Sequence, residues 1–180
     1  MRHALVLTLA AALSGCGIRP VNAELYALVV DFFRPPASCY SDGMQPTTGL
    51  MGDQPAVIKV QVWDGPEGKA FLEVVDGALA ADMGDAPSVD FDGVFSGTKE
   101  STGWVFSAQR SSVANVGGTT VTSSTSATVT FWRDATFKGT AALSSLRTCT
   151  AACPGMAPSC TVSDIPVSGT RLAVDWEQAP

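Results

Sequence analysis

Beyond residue 24 the chain is cut at short intervals by Gly, Pro, Asn and Asp, and the segments between the cuts alternate apolar with polar residues. That period of two places successive side chains on opposite faces of a strand, and it competes with any helical reading. In Val57–Trp63 (VIKVQVW), Ile58, Val60 and Val62 share one face and Lys59 and Gln61 the other. Asp64–Lys69 (DGPEGK) is a turn by composition, and Ala70–Val75 (AFLEVV) returns, which makes the clearest hairpin in the chain. Val89–Phe95 sets Val89, Phe91 and Phe95 against Asp90 and Asp92; Trp104–Arg110, with Trp104, Phe106 and Ala108 inward, is its expected partner. Ser111–Gly118 reads as a loop.

The remaining segments follow the same logic. Leu25–Phe33 (LYALVVDFF) is apolar at both parities and stops at Arg34-Pro35-Pro36, as expected of a strand buried on both faces, with a short helix as the alternative. Ala37–Gln54 reads as a long loop, and Ala78–Pro87 as a loop with one helical turn. Thr119–Arg133 is rich enough in Ser and Thr to suggest a flexible or glycosylated stalk. Yet Val121, Ala127, Val129 and Phe131 fall on one parity, which predicts a long strand bent near Ser123–Ser126. Asp134-Ala135 turns the chain into Phe137–Ser145, with Phe137, Ala141 and Leu143 together. A cysteine-rich loop separates this from two expected strands, Cys160–Ile165 and Thr170–Val174. The signature Phe95-Ser-Gly-Thr98 recurs as Phe137-Lys-Gly-Thr140 and Val167-Ser-Gly-Thr170 without a fixed period; a Gly inside a strand points to a bend or a close backbone approach. With no crossover helix to make strands parallel, the expected fold is all-β: an antiparallel meander of about eight strands, sandwich or barrel, tied by disulfides.

The first residues have a separate logic. Met1-Arg2-His3 is a basic start, and Ala4–Leu13 an uncharged apolar run too short to cross a bilayer, which takes roughly 20 residues. It ends in Leu13-Ser14-Gly15-Cys16, a layout of secretory signals. These four residues resemble the lipobox of bacterial lipoproteins, Leu-small-small-Cys, at every position. The resemblance implies diacylglyceryl modification of the Cys16 thiol, cleavage before it, acylation of the new amine, and a membrane anchor of more than one acyl chain. By the same resemblance, Gly17 in place of Asp favours the outer membrane. The expected layout is a signal peptide over 1–15, a tether over 16–24, and one β domain over 25–180. Eight residues from Gly17 to Glu24 reach at most about 29 Å, so the domain is expected close to the bilayer.

Loss of Arg2 with the signal leaves the 17 Asp and Glu in excess over the Lys and Arg by seven, and the cations are spread singly. That argues against a nucleic-acid footprint and leaves membrane attachment to the acyl chains. Cys39, Cys149, Cys153 and Cys160 remain, an even number in an exported chain, hence two disulfides. Three pairings are possible; Cys149–Cys160 with Cys39–Cys153 is the expected one. A four-thiolate metal site is the competing reading, for which only Cys149 and Cys153 have the usual close spacing.

The only histidine, His3, lies in the signal, so imidazole-based triads, His-ligated zinc and His general bases are excluded from the domain. No nucleophile elbow, Walker loop or dinucleotide fingerprint occurs. Asp82, Asp85, Asp90 and Asp92 are the weak calcium candidates, without EF-hand spacing; a solvated acidic loop is the plainer reading. Trp63, Trp104, Trp132 and Trp176 fall at strand ends, as core or rim packing or as the mouth of a ligand barrel. The expected function is a membrane-anchored envelope lipoprotein, non-catalytic and without a cofactor, docking to an envelope protein partner or wall material. The alternatives are a carrier of a small apolar ligand and, third, a carboxylate-based hydrolase.

Overall fold

The structure is a computed structural model that describes residues 22–31, 33–44, 56–77, 79–81, 89–91, 93–151, 153, 157 and 159–173, with only the backbone of 79–81 and 89–91. Ten strands run in the order β1 (Glu24–Val30), β2 (Ala56–Asp64), β3 (Ala70–Asp76), β4 (Leu79–Ala81), β5 (Val89–Phe91), β6 (Val94–Glu100), β7 (Gly103–Val116), β8 (Thr119–Phe131), β9 (Thr136–Cys149) and β10 (Ser159–Leu172). Eight close into a barrel in the order β1-β2-β3-β6-β7-β8-β9-β10, with β10 returning to β1. Each neighbouring pair is antiparallel. Closure removes the unpaired edges a sandwich would leave and decides between the two expected architectures. β4 and β5 form a separate two-stranded excursion between β3 and β6.

The parity expected for β2, β7, β8 and β9 holds: Ile58, Val60, Val62, Phe106, Ala127, Val129, Phe131, Phe137, Ala141 and Leu143 are all buried. Several boundaries differ. β1 ends at Val30 and is buried on one face only, at Tyr26, Leu28 and Val30, while Leu25, Ala27 and Val29 are half-buried. Its other face looks out of the barrel. The single strand expected over Val89–Phe95 is two, broken before Val94, and its halves belong to different sheets. Leu79–Ala81 is strand where a loop was expected. Ser111–Val116 continues β7, because Gly117 and Gly118, both at positive φ (58° and 83°), make a tight two-residue turn that lets β8 pair back along the whole segment. β8 pairs in continuous register on both sides, with no shift at Ser123–Ser126. The two last expected strands are one, interrupted by a register shift between Val162 and Ile165 where Asp164 takes φ 57°.

The recurrent Gly-Thr signature has one packing role. Gly97, Gly139 and Gly169 each stand directly across the ladder from a phenylalanine, namely Phe106, Phe131 and Phe137. A Cβ on Gly97 or Gly169 would come within 3 Å of the facing ring, and one on Gly139 would meet the Thr130 carbonyl and the Phe131 Cβ. The missing side chains let the rings lie over the neighbouring strand and meet in the barrel centre. Phe131 and Phe137 stack with centroids 4.4 Å apart, Phe106 and Phe131 lie 5.3 Å apart, and Tyr26 meets Phe131 and Phe137 edge-on at 5.9 and 5.7 Å. These separations are the favourable range for aromatic pairs.

The cysteines pair as Cys39–Cys160 and Cys149–Cys153, which corrects the expected connectivity. The Ala37–Cys39 turn packs on β10, beside Cys160 rather than near Cys153, and the end of β9 folds back on itself over four residues. Two outcomes follow. Gly97→Ala, Gly139→Ala and Gly169→Ala should each destabilise the barrel by about 1–3 kcal/mol, read from denaturant midpoints, because each overfills a packed contact. Non-reducing peptide mapping should recover the Cys39–Cys160 and Cys149–Cys153 cross-links. Removing the first, which closes 121 residues of chain, should cost about 5 kcal/mol, against about 2 for the second, on a chain-entropy account.

Candidate functional site

The two ends of the barrel differ in chemistry. At the end where β1 begins, Glu24 collects three donors. Its Oε2 accepts from Tyr26 Oη and from Arg133 Nε, each at 2.8 Å, and its Oε1 lies 3.1 Å from Arg171 Nη1. Arg133 Nη1 also donates to Asp64, and its guanidinium carbon lies 5.4 Å from the centre of the Trp104 ring. Thus the starts or ends of β1, β2 and β10 and the β8–β9 turn are joined by one charged cluster. Burial works against the charge of Arg133, but Asp64 and Glu24 outweigh it and hold its pKa above the ordinary value. Burial, reinforced by Glu24, pushes the Tyr26 phenol up to about 12. The arrangement is a latch on the barrel end: every charged group in it is paired.

The other end is built by the four long strands β7–β10, which outrun the short ones. Their registers stack the inward side chains in rows. Phe106, Val129, Ala141 and Ile165 make one row, and Ala108, Ala127, Leu143 and Val162 the next. The row above is polar: Arg110, Thr125 and Ser145, closed by Cys160. Above it come Ser112, Ser123 and Arg147. Burial deepens across these rows from β7 to β9. Arg110 and Ser112 are exposed and Ser123 and Thr125 half-buried, whereas Ser145 and Arg147 are only 2% and 7% exposed. The Cys39–Cys160 disulfide holds the Ala37–Cys39 turn on β10 at this level, and the backbone of β5 runs against β8 and β9. Among the described residues, Ser145 Oγ and the Arg147 Nε and Nη1 have no hydrogen-bond partner.

Between the two ends the described inward side chains pack across the interior. Tyr26, Phe95, Phe106 and Phe131 have no exposed surface. Two grooves of about 400 and 430 Å³ lie elsewhere. One opens where β6 and β7 part, between Phe71, Val94, Gln109 and Arg110; the other runs over outward residues of β1, β9 and β10, including Ala27, Lys138 and Thr170.

The residues singled out in the sequence are dispersed. Cys16 lies outside the described residues, as do Asp82, Asp85 and Asp92; Asp90 sits in β5, the side chains of which are not described. Among the described residues no three His, Cys, Asp or Glu come together as metal ligands. Trp63 stacks on Phe71 at 5.7 Å, Trp104 on Phe106 at 6.2 Å, and Trp132 is 42% exposed; Trp176 lies outside the described residues. Arg147 escaped the sequence reading although a signal existed: it continues the inward parity of Phe137, Ala141, Leu143 and Ser145, but the strand was expected to end at Ser145. The Glu24 latch left no such signal, since its members are up to 147 positions apart.

No family model, curated protein or solved structure matches this chain.

The raised phenol of Tyr26 sets a pH dependence. The folded state keeps its proton up to about 12, whereas a free tyrosine loses it near 10. Stability from this group is therefore complete below pH 10 and declines as pH rises from 10 to 12. Denaturant midpoints at pH 9 and pH 11 should show that decline in the native chain, and Tyr26→Phe should flatten it.

Proposed function

We propose that this chain is a bacterial envelope lipoprotein, held to a membrane by acyl chains on Cys16, whose barrel is a non-catalytic docking module for an envelope protein. The observation that carries the reading is the distance between anchor and fold: Glu24, where β1 begins, is eight residues beyond Cys16. A spacer that short turns the latched end toward the bilayer and presents the β7–β10 end away from it.

The surface suited to docking is the outer face of β7, β8 and β9. Apart from Lys138 near the latched end it is uncharged, and it is hydroxyl-rich: Gln109 Nε2 donates to Ser124 Oγ at 3.0 Å, and the Ser126 and Ser144 hydroxyls share a hydrogen bond of 2.7 Å. Val113 and Leu146 stand exposed on it. A sheet face with short, mutually ordered side chains costs little side-chain entropy to cover.

Cys16→Ser should move the protein from the membrane to the soluble fraction; unchanged fractionation would defeat the anchor. A photo-crosslinker at Ser124 should capture one defined envelope protein in intact cells, and Leu146→Asp should abolish the adduct. Capture only from a crosslinker at Val57, exposed on β2 on the opposite side of the barrel, would defeat the docking face.

A further inference from the structure

We infer that Arg147 and Ser145, on the inward face of β9, form a buried binding site for an oxyanion, the carboxylate or phosphate group of a small ligand. The inference is independent of the membrane anchor and of the docking face, which is on the other side of the same strands.

The argument starts from cost. A guanidinium stays charged at any accessible pH, and burying it without partners is among the least favourable steps a fold can take. The chain elsewhere obeys that rule: Arg133, which is also poorly exposed, is held by Glu24 and Asp64, and Arg171 by Glu24. Arg147 is 7% exposed and has two guanidinium nitrogens without partners among the described residues. Two positions back on the same face, the Ser145 hydroxyl is 2% exposed and equally unpartnered. One such group is an expense; two side by side, both donors, describe the complement of an acceptor-only ligand.

Geometry supports a small anion. Residues two apart on a strand lie about 7 Å from one another. An oxyanion between them can take a hydrogen bond of about 2.8 Å from each. The ladder registers add Thr125 directly across from Ser145 and Ser123 across from Arg147, two more hydroxyl donors on the same inward face. Arg110 continues the row of Thr125 on β7. Arg110 also lines the groove where β6 and β7 part, which brings solvent to that row. Below the polar rows the wall becomes Ala108, Ala127, Leu143 and Val162, which limits the anion to the upper end.

A binding site of this kind leaves a signature that a structural arginine does not. Without ligand the buried cation is a burden, so a neutral apolar replacement of similar length should be tolerated or stabilising. The full-length chain is purified in a neutral detergent in Tris–chloride, and its thermal midpoint is followed on titration with sodium phosphate, with sodium acetate, and with sodium chloride at matched ionic strength. The native chain should gain midpoint with phosphate or acetate and not with chloride; whichever of the two acts identifies the head group. Arg147→Met should be at least as stable as the native chain before addition and should lose the response. Arg147→Lys, which keeps the charge without the planar fork, should need at least tenfold more anion for the same shift.

Two results overturn the site. One is a native midpoint that neither oxyanion moves beyond the chloride control. The other is Arg147→Met that is destabilised or fails to fold without anion, matched by Asp90→Asn, with the two losses non-additive in the double variant. That pattern would mean that the arginine is satisfied by a carboxylate of the β5 strand.

Discussion

Rings laid over glycines hold this barrel together. Phe106, Phe131 and Phe137 each stand across the ladder from a residue that has no side chain; the space given up by Gly97 and Gly169 is taken by the facing rings, and that at Gly139 by the Thr130 carbonyl and the Phe131 Cβ. A closed eight-stranded barrel has an interior just wide enough for side chains to fill. Here a few large rings fill it, and they reach the centre only because facing positions on adjacent strands alternate large with absent. The stacked pair Phe131–Phe137 and the edge-on Tyr26 join β1, β8 and β9 across the interior, so sequence-distant strands are committed to one register.

That filled centre separates two chemically distinct ends. In the cluster of Glu24, Arg133, Asp64 and Arg171 at one end every charge is matched, and Tyr26 joins it directly to the aromatic centre through its hydroxyl. At the end built by β7–β10, Ser145 Oγ and the Arg147 Nε and Nη1 lack acceptors among the described residues. The contrast between a satisfied arginine and an unsatisfied one in the same barrel gives the upper end its functional interest, because buried polar groups are ordinarily paired. The disulfide from Cys39 to Cys160 closes against the same polar row, so the covering segment and the site wall are fixed by one covalent link.

Much of this was readable along the chain. Alternation in Val57–Trp63, Trp104–Arg110, Thr119–Arg133 and Phe137–Ser145 gave the inward residues correctly, since parity is a local property that burial on one face rewards. What failed was local in another sense. Ser111–Val116 looked like a loop because its own residues have weak strand preference, while the partner strand and the Gly117-Gly118 turn, not the segment itself, make it β. Val89–Phe95 kept parity through a break, and parity cannot tell one strand from two in different sheets. The cysteine pairing depended on where the Ala37–Cys39 turn docks, which no spacing encodes.

The sequence by itself determined an all-β antiparallel meander, the faces of its strands, and the absence of imidazole chemistry from the domain, because period, composition and turn residues act over a few neighbours. Closure into a barrel, the partners of Glu24, the mates of the cysteines and the seclusion of Arg147 were decided only in three dimensions. Each depends on which distant residues meet once the rings find their glycines.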